Sequence, residues 1–105
     1  MEVLTSDNWK EFLESPLIVL VLSRKGCKAC EKWNEKLETY TIPNGVRIGK
    51  ILLDSPGFGR FKIEHEWVSN VDMLPFNVIF ENGEMKTSWA GSGLKKLQKR
   101  LDSFV

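Results

Sequence analysis

The chain has 105 residues, 42% of them hydrophobic and 28% charged, with a formal net charge of +1. That length holds one core and leaves no room for a second with a linker, so a single domain over residues 1–105 is expected. The near-neutral balance argues against nucleic acid or an anionic membrane as partner, and the longest strongly apolar run, Leu17 to Leu22, is far too short to span a bilayer.

Taken from the N-terminus, Met1-Glu2-Val3-Leu4 lacks the basic segment and apolar stretch of a secretory signal, which makes a cytoplasmic setting the default expectation. Glu2 to Leu4 suits a short strand. Thr5 or Ser6 can cap a helix in which Trp9, Phe12 and Leu13 share one face. Ser15-Pro16 stops that helix, because the residue before proline is pushed out of the helical region. Leu17 to Leu22 is apolar on both faces, the pattern of a central strand covered from both sides. Ser23-Arg24-Lys25-Gly26 breaks the run, and a second helix begins around Cys27 with an apolar stripe of Ala29, Trp33, Leu37 and Tyr40.

Pro43-Asn44-Gly45 is a turn, and Val46 to Leu53 is the next strand, weakened by Gly49. Ser55-Pro56-Gly57 leads into a shorter helical stretch from about Phe58 to Trp67. Phe76 to Phe80 forms a strand, Asn82-Gly83 is a strong hairpin turn, and Met85 to Ala90 returns antiparallel. Ser92 can cap a last helix whose inner face carries Leu94, Leu97, Leu101 and Phe104. The order β-α-β-α-β-α-β-β-α predicts an α/β protein with a central mixed sheet and helices on both faces.

The chemistry in this pattern belongs to Cys27 and Cys30, two cysteines separated by Lys28-Ala29. In a compartment that keeps thiols reduced, such a pair points to catalysis or metal binding rather than a structural staple. A sulfur at the first turn of a helix is favoured as thiolate by unpaired N–H groups and the helix dipole, and Lys25 and Lys28 add positive charge nearby. Cys30 lies about one turn on, within reach of an intramolecular disulfide. The mechanism expected is attack by Cys27 on a substrate disulfide, followed by resolution of the mixed disulfide by Cys30. Half of a zinc site and a pair of inert thiols are the alternatives. With no further cysteine and a single histidine, a closed tetrahedral site within the chain is short of Cys and His, and only carboxylate ligands or a site shared between subunits would complete it.

Other residues invite functional readings that plainer ones outweigh. His65, between Glu64 and Glu66, is expected to be a solvated helix histidine, and Trp9 and Trp33 to be core. Trp67 or Trp89 could line a substrate groove if exposed near Gly91. Lys95, Lys96, Lys99 and Arg100 suit a solvated helix face with cations near its C-terminal end.

Gly26-Cys27-Lys28-Ala29-Cys30 after an apolar strand, Met73-Leu74-Pro75 before Phe76-Asn77-Val78-Ile79-Phe80, then Glu81-Asn82-Gly83-Glu84 and Gly91 follow one another in a specific order. In that order and spacing the chain resembles the thioredoxin family over almost its whole length. The resemblance implies the thioredoxin fold and a protein-disulfide reductase in which Cys27 is the nucleophile and Cys30 the resolving thiol. It implies that Pro75 is cis and lies beside the disulfide, that Leu74 offers backbone groups to an extended substrate, and that Gly91 leaves room for it. Lys50 aligns with a lysine buried under the active site in many members, the plainer reading being an outward-facing strand lysine.

Three departures stand out. Gly26 replaces the usual Trp, Lys28-Ala29 replaces the usual Gly-Pro, and Val21 occupies the place of a buried aspartate that carries a proton for the resolving cysteine. The implied partners are disulfide-containing protein substrates and a thioredoxin-reductase-like flavoenzyme as electron donor. No metal and no organic cofactor are required, and neither nucleic acid nor membrane is expected as a partner. A non-catalytic scaffold of the same fold and a glutaredoxin-like use of glutathione are the rival functions.

Overall fold

Every residue of the Leu17–Ser23 strand is buried, because its alternate side chains serve two different cores. In the computed structural model, which describes residues 1–105, Ile18, Leu20 and Leu22 enter one apolar cluster, while Leu17, Val19 and Val21 enter the other. This strand, β2, is the centre of a five-stranded sheet ordered β1-β3-β2-β4-β5. The strands are β1 (Glu2–Val3), β2 (Leu17–Ser23), β3 (Arg47–Leu52), β4 (Phe76–Glu81) and β5 (Glu84–Ala90). β3 pairs in parallel with both β1 and β2; β4 runs antiparallel to β2, and β5 antiparallel to β4.

The helices are α1 (Trp9–Leu13), α2 (Lys28–Glu38), α3 (Gly59–Glu64) and α4 (Leu94–Leu101). Trp9, Phe12 and Leu13 of α1 and Phe61 of α3 join the first cluster; Trp33 and Leu37 of α2 and Leu97 and Leu101 of α4 join the second. The expected mixed sheet with helices on both faces is what the chain builds.

Several local expectations are corrected. Helix α1 begins one turn later than a Thr5 or Ser6 cap would place it. Thr5 instead forms a turn in which its N–H donates to Asn8 Oδ1 (2.7 Å) and its hydroxyl accepts from the Asp7 N–H (3.2 Å), and Asn8 holds the cap position. In α2 the buried stripe is Cys30, Trp33 and Leu37, whereas Ala29 is exposed. The helix starts at Lys28, and an i, i+3, i+7 stripe through Trp33 turns Ala29 outward. Tyr40 lies beyond the helix end, half-buried, with its hydroxyl against Gln98.

The Phe58 to Trp67 stretch is not one helix. It breaks at His65 and continues as a 3₁₀ turn, Glu66–Asn70. His65 is half-buried rather than solvated: its Nδ1 lies 2.9 Å from the Phe61 carbonyl, and its ring stacks 4.7 Å from that of Phe61. Helix α4 has Gly93, not Ser92, at its cap, and Phe104 packs from beyond its last turn. Trp9 and Trp33 are core; Trp89 is also buried, under the Arg100 guanidinium at 5.0 Å, and Trp67 is half-buried against Phe76.

Gly49 does not weaken β3 so much as permit its packing. A Cβ there would lie 2.8 Å from Phe12 Cζ and 3.2 Å from Leu4 Cδ2, so only glycine lets the Phe12 ring lie this close to the strand. At the hairpin, Asn82 and Gly83 both take positive φ, 51° and 83°, as a type I′ turn requires.

Candidate active site

The site is assembled at the end of the sheet where β2 stops. Gly26 takes φ +74°, with no atom within 4 Å of where a Cβ would be, so glycine serves here for conformation and not for space. Its left-handed turn, three residues past the end of β2, brings Cys27 to the cap position of α2 with extended backbone, φ −89° and ψ 104°. The loop is held from the side by Asp54, which follows β3. Both of its carboxylate oxygens accept from the Lys25 N–H, at 3.1 and 3.2 Å.

Cys27 and Cys30 are joined as a disulfide, with Cα atoms 5.2 Å apart. The Cys30 N–H donates to Cys27 Sγ at 3.2 Å, so the sulfur takes the place of the usual capping oxygen. The two cysteines differ in exposure: Cys27 is half-buried, whereas Cys30 is 2% exposed. An incoming group therefore meets Cys27 first. Lys28 and Ala29, between them, are exposed, as are Lys25 and Gly26. Reduction would leave Cys27 sulfur at a helix N-terminus with a backbone donor already aimed at it, an arrangement that favours the thiolate.

The second wall comes from the loop before β4. The Leu74–Pro75 peptide bond is cis, Pro75 is buried and Leu74 half-buried. Phe76 pairs with Leu22 on one side and Ala90 on the other, which brings Pro75 level with the end of β2 and next to Gly91. The Gly91 N–H donates to the Pro75 carbonyl at 2.9 Å, and Gly91 takes φ +98°. Lys50 sits on β3 directly opposite Val21 of β2, half-buried. Val21 is fully buried among Val19, Trp33 and their neighbours, so an apolar side chain occupies the position beneath the cysteine helix.

The structure thus brings Gly26, Cys27, Lys28, Ala29 and Cys30 to one loop and helix start, and Leu74, Pro75 and Gly91 to the strand ends beside it. Sequence reasoning missed what ties the two together. Trp33 Nε1 donates to Asn77 Oδ1 at 2.9 Å, and Asn77 Nδ2 donates to the Gly91 carbonyl at 2.9 Å. Both Trp33 and Asn77 are fully buried. The bond from α2 to β4, and onward to Gly91, fixes the cysteine helix against the Pro75 wall. A lone asparagine inside the otherwise apolar Phe76–Phe80 run was the available signal, since a buried amide demands partners. Asp54 had no such signal.

No protein-family model matches the chain, and no curated protein does either. Solved structures do match. Fasciola hepatica thioredoxin superposes with a TM-score of 0.76 at 20% identity, covering 100% of both chains. Thioredoxin f2 of Chlamydomonas reinhardtii gives 0.76 at 16% identity over 98% of this chain and 94% of its own. The germline-specific thioredoxin Deadhead of Drosophila melanogaster gives 0.72 at 21% identity over 100% and 99%. With the sheet order, the two helical layers and these full-length superpositions together, the chain has the thioredoxin fold.

Proposed function

We propose that the protein is a thiol–disulfide oxidoreductase that reduces or exchanges protein disulfides through Cys27 and Cys30. The observation that carries this reading is the unequal pair at the start of α2, an accessible Cys27 capped by the Cys30 N–H and a buried Cys30 behind it. The fold is consistent with it but hosts several functions, so the argument rests on the site.

In the reductive direction the Cys27 thiolate attacks one sulfur of the substrate disulfide. A Cys27–substrate bond forms, the substrate S–S bond breaks, and the leaving sulfur takes a proton from solvent. Cys30, having lost its proton, then attacks Cys27 Sγ, forming the Cys27–Cys30 disulfide and releasing the second substrate sulfur as a thiol. Two electrons and two protons pass to the substrate. Val21 offers no carboxylate for the Cys30 proton, so that proton leaves through water or another group. Leu74 and Pro75 form the wall along which an extended substrate segment lies, with Gly91 giving clearance and Lys50 supporting from the sheet. A flavoenzyme of the thioredoxin-reductase class is the donor that restores the dithiol.

Trapping tests this. Cys30→Ser incubated with a disulfide-bonded protein accumulates a mixed disulfide at Cys27, visible as a mass adduct lost on reduction, while Cys27→Ser forms none. Turnover by Cys27→Ser comparable to the unmodified protein contradicts the assignment, and retention of the biological task by the double serine variant establishes the scaffold role instead.

A further inference from the structure

Next to Leu74 the surface opens into a cleft of about 400 Å³ lined by Arg24, Leu53, Asp54, Lys62, Val71 and Leu74. It joins the loop that carries Cys27 to the loop that carries Pro75. Leu53, Val71 and Leu74 supply an apolar wall, and the rim is ionic. Asp54 is already engaged, both oxygens accepting from the Lys25 N–H. Lys62 Nζ gives one hydrogen to the Leu53 carbonyl at 2.7 Å and keeps two to offer. Arg24, exposed and three residues before Cys27, has neither a hydrogen bond nor an ion pair for its guanidinium within the chain. Two cations against one engaged carboxylate leave the cleft positive, and Lys25 and Lys28 extend that sign around the cysteines.

We propose that this cleft binds a carboxylate carried close to the substrate disulfide, with Arg24 as its main contact and Lys62 as the second. The proposal rests on the oxidoreductase reading above and adds to it a substrate class, disulfides flanked by acidic residues. The apolar wall takes the methylenes of a glutamate while the guanidinium offers the paired donors that a carboxylate accepts. An extended chain advances about 3.3 Å per residue, so a carboxylate within a few residues of the attacked sulfur reaches the cleft while the cysteine lies at Cys27.

The test uses the pre-reduced protein in single turnover with two disulfide peptides, identical except for glutamates or glutamines beside the cysteines. The expected ratio of Glu-peptide to Gln-peptide rate constants is about tenfold at low salt, the order of one charge-assisted hydrogen bond, and it shrinks as salt screens the pair. Arg24→Gln brings the ratio close to one and Lys62→Gln lowers it part of the way, while Lys95→Gln on α4 leaves it as in the parent. Glutathione disulfide, with carboxylates on both sides of its sulfur pair, separates the sources. An Arg24-dependent rate matching the Glu peptide extends the cleft's ligands to glutathione, and a rate at the Gln-peptide level confines them to proteins. Equal rates for the two peptides, or a ratio that survives Arg24→Gln and Lys62→Gln together, overturns the proposal. Failure to reduce either peptide overturns the oxidoreductase reading instead.

Discussion

Asn77→Val removes the one side chain that bonds the cysteine helix to β4, the strand that follows Pro75. Two hydrogen bonds of 2.9 Å disappear, from Trp33 Nε1 and to the Gly91 carbonyl, together with a longer one of 3.4 Å to the Trp89 carbonyl. They are unequal in consequence. Trp33 is fully buried, so its indole N–H has no water to turn to and bears a desolvation cost of about 1–3 kcal/mol. The Gly91 carbonyl belongs to a half-buried residue and can recruit solvent, which limits that loss to about 0.5–1.5 kcal/mol. Valine returns part of this as apolar contact with its neighbours, leaving a net cost of about 1–4 kcal/mol. For a domain of this length that corresponds to a fall in Tm of about 4–30 °C, measured by circular dichroism on the oxidised protein. Trp33→Phe and the double variant complete a cycle. Once the indole N–H is gone, losing its acceptor matters less, so the double variant costs less than the two singles summed, by about 0.5–3 kcal/mol. A Tm within about 4 °C of the parent for Asn77→Val, corresponding to at most about 1 kcal/mol, or additivity in the cycle, refutes the reasoning.

Other substitutions probe the frame around the site. Gly49→Ala forces a Cβ to within 2.8 Å of Phe12 Cζ in a ring that is 1% exposed, and a loss of about 1–3 kcal/mol by denaturant titration is expected. Gly26→Ala meets no neighbour but must hold φ +74°, so it costs about 1–2 kcal/mol; a neutral result would mean that the turn relaxes. Glu2 is held below its ordinary value of 4.5, chiefly by its hydrogen bond from Arg47. A depressed folded value means that the contribution is present above pH 4.5 and lost as pH falls through the folded value. Glu2→Gln is therefore expected to be less stable than the parent at neutral pH, by under about 1 kcal/mol for so exposed a pair, with the gap closing in acid. A gap that stays constant with pH contradicts the ion-pair explanation.

The strands were legible because their patterns have one solution. An unbroken run such as Leu17 to Leu22 satisfies two cores only as a central strand, and Asn82-Gly83 has the residues that a two-residue hairpin turn demands. The cysteine pair was legible from spacing, and its placement at a helix start from the Ser23-Arg24-Lys25-Gly26 break. Helix starts were less so. Thr5 forms its own side-chain turn before α1, because a short polar side chain can satisfy backbone groups in more than one local geometry, and Gly93 rather than Ser92 holds the cap of α4. At the His65 break the ring also meets Trp9 and Phe80, contacts with distant parts of the chain that no local pattern encodes. The links that position the site, Asp54 to Lys25 and Trp33 to Asn77, join residues 29 and 44 positions apart, and only the folded chain brings them together.

The most direct test of the account is a redox titration of the purified protein against defined thiol–disulfide ratios, following the free thiols of Cys27 and Cys30. The account predicts one reversible two-electron transition, with a midpoint in the range of about −270 to −120 mV that dithiol oxidoreductases occupy. A pair that stays oxidised to below about −300 mV behaves as a structural staple, and one that never closes into an intramolecular disulfide cannot resolve a substrate; either result contradicts the claim that Cys27 and Cys30 carry the chemistry.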